Sequence, residues 1–302
     1  MHHYSTDSSL HTLASFVKSL NFLQKGKNFL ITSKVLITCK IYQSNMLKIV
    51  GLNFSYGRFS IKDITFDVEK GEVLTLLGPN GSGKTTILKC IYGLLKPIKE
   101  CVYVDGKDFH KLNLKEKSKL AGYVPQIHHP PFPYTVLDVV VMGLTPQLGV
   151  FDVPKEEHYK KAIKALKLLE IEWLKNRPYT QLSGGQLQLV LIARALVQEP
   201  KIMLLDEPTA HLDFKNQIKI LEIIKKLAKK QGISAVLTLH DPNLASIYSD
   251  TIALVKDGII KAVGKPSEII VEELLEDVYG VPVRIYKLNG TRFIVPRTET
   301  MS

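Results

Sequence analysis

One stretch, residues 72–95, constrains the fold of this chain more than any other. It begins with EVLTLL, a short apolar run typical of a buried strand, and it ends with ILKCIYGLL, which has helical spacing. Between them lies GPNGSGKTT (78–86), which matches the pattern GxxxxGK[ST]. Glycines at this spacing let backbone N–H groups surround a phosphate at the N-terminus of the next helix. The sequence therefore predicts a strand–loop–helix unit that binds a phosphorylated ligand.

The residues of this loop have predicted roles toward a nucleoside triphosphate. Lys84 is expected to reach the β- and γ-phosphates, and Thr85 is expected to supply a hydroxyl to Mg²⁺. The loop residues predicted to bind the nucleotide are Gly78, Pro79, Asn80, Gly81, Ser82, Gly83, Lys84, Thr85 and Thr86.

Polar residues close three other predicted strands, and they are Gln126, Asp206, Glu207 and His240. In open sheets built from parallel strands, ligands bind at the carboxyl ends of the strands, where these side chains are expected to lie. Asp206 is predicted to support Mg²⁺, and Glu207 is the candidate general base for the attacking water. His240 is predicted to hydrogen-bond the γ-phosphate, while Gln126 is expected to contact either Mg²⁺ or the water.

Strands and helices alternate along the chain, which predicts an α/β fold with a mostly parallel sheet covered on both faces. An exception comes early, because residues 47–56 and 61–68 are predicted to form antiparallel strands joined at Gly57-Arg58. Near the C-terminus, Asn289-Gly290 between two apolar runs predicts a β-hairpin.

Together these motifs resemble those of ABC-type ATPase subunits over residues 46–295. The family's Walker A motif is GPNGSGKT, its Walker B motif is IMLLDE, and its signature is LSGGQ (182–186). Gln126 matches its Q-loop, His240 its H-loop and HLD (211–213) its D-loop. The resemblance implies a P-loop NTPase fold of the ABC type, with a mostly parallel sheet core, an antiparallel β subdomain and a helical signature subdomain.

The resemblance also implies the rest of the nucleotide site. Tyr56 matches the aromatic residue that stacks on adenine in this family. ATPase subunits of the family pair head to tail, so a second copy of this chain is expected to complete each ATP site in a symmetric dimer. The residues expected to contact nucleotide in trans, or to connect the two sites, are Ser183, Gly184, Gly185, Gln186 and Asp213. On this interpretation the two glycines leave the backbone bare so that it can approach a triphosphate.

Within the family, the chain is similar to importer ATPases for ferric siderophores, haem and cobalamin. The pointers are TVLDVVVMG, TPQLGVF and the tail LLEDVYGVPVRIYKLNGTRFIVP, although Leu144 replaces the arginine of the usual MGR. The resemblance implies that the chain energises uptake of a metal chelate through a separate membrane permease and, indirectly, a substrate-binding protein. Zinc or manganese importers and molybdate importers are the neighbouring alternatives.

Other classes of ABC protein fit the sequence less well. DNA-repair members insert a long coiled coil before the signature, and the interval between Lys84 and Ser183 has no sustained heptads. Translation factors carry two cassettes, and exporter halves usually carry a fused membrane domain, whereas no apolar run here approaches the length that spans a bilayer. We therefore expect a peripheral protein on the cytoplasmic face of the cell membrane, with no nucleic-acid partner.

The first 45 residues differ from the rest of the chain. They contribute +4 to a formal net charge of +11, and their apolar run is interrupted by lysines. They are predicted to be an extension, either regulatory or, as we prefer, disordered or created by a mis-assigned start before Met46. The ATPase domain is predicted over 46–286, with its helical subdomain at about 127–195 and a C-terminal hairpin strand and tail over 287–302.

A proline-rich segment follows Gln126 and is expected to expose Phe132 and Tyr134. In ABC importers this region forms the groove that receives a short cytoplasmic helix of the permease, so an exposed aromatic pair suits a partner surface. The neighbouring His128 and His129 lack a third ligand nearby, and a metal site there is not favoured.

Overall fold

The computed structural model describes residues 45–57, 59–99, 101–126, 132–149 and 152–297. By its contacts the chain divides after Ser44, and all described residues belong to the unit that begins at Asn45. The predicted extension therefore lies outside the described residues except for Asn45. None of the helices among these residues is long and apolar enough to cross a membrane.

The described strands have the following bounds: β1 Asn45–Tyr56, β2 Phe59–Glu69, β3 Val73–Leu77, β4 Val102–Val104, β5 Lys107–Asp108, β6 Ala121–Val124, β7 Ile202–Leu205, β8 Ser234–Leu239, β9 Thr251–Lys256, β10 Ile259–Gly264, β11 Val283–Leu288 and β12 Thr291–Pro296. Strands β3, β6, β7 and β8 are short and mostly apolar, as the sequence predicts for buried strands.

The strands form a parallel core with antiparallel additions, which confirms the predicted fold class. The six-stranded sheet has the order β10–β9–β3–β8–β7–β6, with β10 antiparallel at one edge and the other neighbours parallel. A four-stranded antiparallel sheet has the order β2–β1–β4–β5. The predicted pairing of the first two strands is therefore confirmed.

The described α-helices are α1 Lys84–Tyr92, α2 Leu114–Leu120, α3 Val136–Val141, α4 Glu156–Leu168, α5 Gly184–Leu196, α6 Phe214–Gln231, α7 Pro242–Tyr248, α8 Pro266–Ile269 and α9 Glu272–Tyr279. Short 3₁₀ helices span Phe109–Lys111, Met142–Gln147, Glu172–Leu174 and Tyr179–Gln181. Helices α3, α4 and α5 occupy the segment predicted as the helical subdomain, and α5 ends one residue beyond it.

Alternate residues of the six-stranded sheet face two hydrophobic cores. Leu74 and Leu76 of β3 cluster with residues of α1 and of the antiparallel sheet. Val73 and Leu77 of the same strand cluster with residues of α5, α6 and α7. Because both faces are covered, the central strands are mostly apolar, and their polar residues Thr75, Ser234 and Thr238 are buried. The ends of β3, β6, β7 and β8 then meet at one edge, where the chain continues into the polar residues of the site.

The C-terminal hairpin is formed by β11 and β12, with Leu288 opposite Thr291. The predicted turn is confirmed, since Asn289 and Gly290 have φ of 49° and 84°, as a two-residue type I′ turn requires. The boundary predicted between 286 and 287 falls inside β11. The hairpin rests on α7, where the Asn243 side chain accepts a hydrogen bond from Ile294 N (2.8 Å) and donates one to Ile294 O (3.2 Å).

Candidate functional site

The loop between β3 and α1 presents unsatisfied donors. Helix α1 begins at Lys84, and Gly83 at its N-cap has no side chain that could accept from the N–H groups of the first turn. The Ser82 hydroxyl is buried, and it finds no hydrogen-bond partner among the described residues. An anion at this helix N-terminus would satisfy these groups. The loop residues therefore fit a polyphosphate.

Lys84 is the cation of this loop. Its side chain is buried, and its Nζ donates hydrogen bonds of 2.8 Å to the carbonyls of Gly78 and Pro79. Burial lowers the pKa of Lys84, while the nearby carboxylates of Glu207 and Asp206 act in the opposite direction. The ammonium group is thus fixed beside the phosphate loop, near the carboxylates of Glu207 and Asp206.

A cleft of about 480 Å³ opens over the loop. It is lined by Tyr56, Phe59, Asn80, Gly81, Gly83, Lys84, Thr85, Thr86, Gln126 and Glu207. The structure therefore brings together the predicted adenine-stacking residue, most of the phosphate loop and two of the predicted catalytic residues. The Tyr56 side chain is 58% exposed, which leaves its ring accessible to a base.

Asp206 lies buried beneath the cleft and accepts hydrogen bonds from three hydroxyl groups. Its Oδ1 is 2.8 Å from Thr85 Oγ1 and 3.0 Å from Thr238 Oγ1, and its Oδ2 is 3.4 Å from the Tyr123 hydroxyl. Burial, together with Asp206, raises the pKa of Tyr123 above its usual range, so this hydroxyl stays a donor.

The Thr85 hydroxyl and the Asp206 carboxylate suit Mg²⁺. Both are hard oxygen ligands, and Mg²⁺ is usually held by one or two carboxylates together with substrate phosphates. In the described parts of the chain there is no group of three or more His, Cys, Asp or Glu residues that could enclose a metal by themselves. The donor set therefore fits an ion that enters with a nucleotide.

Glu207 turns away from β7 toward the cleft. Its φ is 43°, in the left-handed region. Its Oε2 accepts a hydrogen bond of 2.7 Å from Gln126 Nε2, and its backbone N–H donates one of 2.7 Å to Thr238 Oγ1. Two residues predicted from separate strand ends, Gln126 and Glu207, are thus in direct contact.

The structure does not bring His240 into this cleft. His240 follows β8 directly, as predicted, but it is exposed and does not line the cleft. Its carbonyl accepts a hydrogen bond of 3.1 Å from the Tyr279 hydroxyl of α9. Its role toward phosphate stays a prediction.

The signature residues lie at the N-terminus of α5, apart from the cleft of their own chain. Ser183 is the N-cap, and it forms a capping box with Gln186 through bonds of 3.1 and 3.4 Å. Asp213 caps α6 by accepting 2.8 Å from Asn216 N. Ser183, Gly184 and Asp213 are exposed, and none of the five predicted trans residues lines the cleft.

Gly185 has a packing role that the sequence did not reveal. A Cβ at this position would lie 2.7 Å from Cγ of Asn216, so a side chain here would have to displace the Asn216 amide on α6. At Gly184 the nearest described atom is Leu212 Cδ2 at 3.3 Å, which is tight but requires a smaller shift. Packing within the chain therefore favours glycine at 185 more than at 184.

Sequence reasoning also missed two residues that touch the predicted acids, Thr238 and Tyr123. Each offered a signal, since Thr238 is a hydroxyl residue inside the apolar strand AVLTL and Tyr123 precedes Gln126 by three positions. Neither pattern indicates which carboxylate the hydroxyl meets.

The predicted aromatic pair is exposed, as expected. Phe132 and Tyr134 are 59% and 46% exposed, and their rings pack edge to face at 5.9 Å. A separate cleft of about 520 Å³, which we call the groove, is not lined by either aromatic residue. It is lined by Tyr92, Leu94, Tyr123, Pro125, Met142, Gly143, Thr145, Pro146, Leu191, Arg194, Ala195 and Gln198. His128 and His129 lie outside the described residues.

The chain matches a known protein family and is similar to several of its members. The family described as ABC transporter matches residues 61–210, which contain the phosphate loop and both acids. An uncharacterized ABC transporter ATP-binding protein of Methanocaldococcus jannaschii is 42% identical over 252 residues, which cover 83% of this chain and 98% of the relative. A Helicobacter pylori protein named as an iron chelatin transport ATP-binding protein is 43% identical over 214 residues, 70% of this chain and 84% of the relative.

Further similarities extend over nearly the whole of each relative. A molybdate import ATP-binding protein of Haemophilus influenzae is 37% identical over 262 residues, 84% of this chain and 98% of the relative. A solved structure described as an inward-facing metal-chelate type ABC transporter is 34% identical with a TM-score of 0.76, covering 86% of this chain and 100% of that chain. A dimeric ATP-binding cassette solved with ADP and phosphate is 33% identical with a TM-score of 0.62, covering 73% of this chain and 99% of that chain.

Proposed function

The chain belongs to the ABC transporter family of ATP-binding proteins, and we propose that it energises import of a metal chelate through a separate membrane permease. It is an ATP hydrolase of the kind whose turnover is coupled to transport. The observation that carries the proposal is the cleft in which the phosphate loop meets Tyr56, Gln126 and Glu207.

The cleft suggests how each residue acts on ATP. Adenine stacks on Tyr56. The Lys84 ammonium exchanges its hydrogen bonds to the loop carbonyls for bonds to the triphosphate. Thr85 and Asp206 would hold Mg²⁺, which would neutralise phosphate charge when bound. Glu207 accepts a proton from the attacking water after its bond to Gln126 is released.

A second copy of the chain is proposed to complete each site. The support is the exposed position of Ser183 and Gly184 at a helix N-terminus, which presents N–H groups and a positive dipole end to an anion. Glu207→Gln should nearly abolish turnover yet keep ATP binding, because the phosphate loop is unchanged. Its ATP-bound dimer should then persist in size-exclusion chromatography.

A matched variant makes the dimer test specific. Gly184→Glu in the Glu207→Gln background places a negative charge where the γ-phosphate of the partner's ATP is expected, so only monomer should elute. Should Glu207→Gln alone also elute as monomer with ATP bound, the trans arrangement would be excluded.

The permease is proposed to dock on the exposed aromatic pair, with the groove as a further candidate contact. Exposed Phe132 and Tyr134 suit a short partner helix, and docking there would put the chain peripherally on the cytoplasmic face of the membrane. Replacing both aromatics with serine should leave the ATPase rate of the free subunit nearly unchanged. Transport in vesicles with the cognate permease should collapse, and undiminished transport would refute this docking surface.

The cargo class is proposed from the relatives. An iron chelatin transport ATPase and a metal-chelate type transporter are both among them, which favours a ferric siderophore, haem or cobalamin. The alignment with a molybdate import ATP-binding protein covers 84% of this chain, so molybdate is the second candidate. ATP-dependent uptake into vesicles containing the whole transporter, with each chelate, molybdate and zinc tested separately, decides between them. Uptake of molybdate or zinc alone would replace the metal-chelate proposal.

A further inference from the structure

Among the hydrogen bonds of the described residues, Thr238 is the side chain that bonds to both acidic residues of the proposed ATPase site. It lies on β8, between β3 and β7 in the centre of the sheet, and it is fully buried. Its Oγ1 is 3.0 Å from Asp206 Oδ1 and 2.7 Å from the backbone nitrogen of Glu207. One buried hydroxyl therefore joins the carboxylate of Asp206 to the backbone of Glu207.

The direction of each hydrogen bond follows from the partners. A carboxylate only accepts, so the hydroxyl proton of Thr238 goes to Asp206. A backbone N–H only donates, so Oγ1 accepts from Glu207. Because both bonds share one hydroxyl, the position of the Asp206 carboxylate is fixed relative to the Glu207 backbone.

The bond to Glu207 replaces one that the sheet no longer provides. The pairing of β7 with β8 ends at Leu205 opposite Leu237, and Glu207 lies two residues beyond it. Its φ of 43° is one that residues other than glycine adopt only when surrounding contacts hold them. The Thr238 hydroxyl satisfies the N–H of this residue and so supports the backbone turn that aims the side chain at the cleft.

We propose that Thr238 is a positioning residue that sets both the metal-facing carboxylate of Asp206 and the orientation of Glu207. The inference rests on the proposed ATPase site, and Thr238 itself does not line the cleft. Its effect on turnover and its effect on the metal should therefore appear together when the hydroxyl is removed.

The test compares Thr238→Val, which keeps the shape but removes the hydroxyl, with Thr238→Ser, which keeps the hydroxyl. Loss of a hydrogen bond to a charged group predicts that Thr238→Val lowers kcat by about tenfold to a hundredfold. The KM for ATP should rise by no more than the factor of about ten by which metal binding is expected to weaken, since Tyr56 and the loop backbone are unchanged. Thr238→Ser should restore most of kcat.

Thr75→Val is the matched control for stability. Thr75 is equally buried, lies on the neighbouring strand β3, and bonds the Ser249 hydroxyl at 2.6 Å, away from both acids. Both valine variants should lower the melting temperature to a similar extent, while only Thr238→Val should lose turnover. Equal loss of kcat in the two variants would mean that Thr238 acts through stability alone, which overturns the inference.

A second readout does not depend on hydrolysis. Mn²⁺ binding to the full chain with ATP, measured by electron paramagnetic resonance at low temperature, should be about tenfold weaker in Thr238→Val and unchanged in Thr75→Val. Unchanged kcat and Mn²⁺ affinity in Thr238→Val would refute the inference and leave the ATPase proposal standing. A wild-type chain that neither binds nor hydrolyses ATP would overturn both.

Discussion

Gly184 and Gly185 are neighbours in the sequence, but their surroundings differ. Gly185 is buried against the Asn216 side chain, whereas Gly184 is exposed at the helix N-terminus. The resemblance to ABC subunits explains both by the approach of a triphosphate. The structure separates them, because a Cβ at Gly185 would overlap the Asn216 side chain of α6, whereas one at Gly184 would meet only Leu212 Cδ2 at 3.3 Å.

Substitutions at the two glycines should therefore have different effects. Gly185→Ala should lower the free energy of unfolding by about 1–3 kcal/mol, because the new methyl group overlaps Asn216. Adding Asn216→Ala should recover much of this loss. Gly184→Ala should leave stability nearly unchanged and lower the ATPase rate if a partner's nucleotide approaches there. Denaturant unfolding and ATPase assays measure the two effects; a destabilised Gly184→Ala would contradict this assignment.

Lys84 gives a prediction for pH as well as for affinity. Lys84→Ala should weaken ATP binding by about tenfold to a hundredfold, since a charged hydrogen bond to phosphate is lost. Burial lowers the pKa of the free lysine and bound phosphate raises it again, so wild-type affinity should fall as pH rises through the lowered pKa. Calorimetry across pH measures both, and Lys89→Ala on the same helix is the control. If the affinity of Lys84→Ala for ATP still falls with rising pH, a group other than Lys84 causes the pH dependence.

At the scale of elements, the sequence predicts best what is local. The phosphate loop, the apolar strands and the Asn289-Gly290 turn follow from neighbouring residues, and the structure has them where the pattern places them. Contacts between distant residues escape such patterns. Thr238 meets Asp206, 32 positions away, and no periodicity specifies that pairing. For the same reason His240 ends the predicted strand while its side chain stays outside the cleft.

Substitution of the turn residue Gly290 tests what stabilises the C-terminal hairpin. Gly290 has φ of 84° and no described atom within 4 Å of an added Cβ, so a substitution there isolates the backbone effect. Gly290→Val should destabilise the hairpin by roughly 1–2 kcal/mol, whereas Gly290→Asn should be nearly neutral. Hydrogen exchange of the β12 amides measures the difference. Equal protection in both variants would show that the turn does not determine hairpin stability.

For the whole molecule, truncation tests what residues 1–45 contribute to stability. A chain beginning at Met46 should keep its ATPase activity and melt within a few degrees of the full chain, because Asn45 is the one described residue it lacks and the bond of Asn45 to Asp67 is exposed. A chain beginning at Ile49 should be clearly less stable, because it lacks the buried side chains of Met46 and Leu47. A large drop in melting temperature for the first truncation would show that residues 1–45 stabilise the fold.

The hydrogen bond from Gln126 to Glu207 affects how fast the transporter hydrolyses ATP when no cargo is present. While this bond is held, Glu207 Oε2 is occupied by the Gln126 amide and cannot bind the attacking water. If Glu207 is the base, one hydrogen bond therefore slows ATP hydrolysis in the free subunit. Hydrolysis without transport would then increase when a partner moves Gln126 away from Glu207.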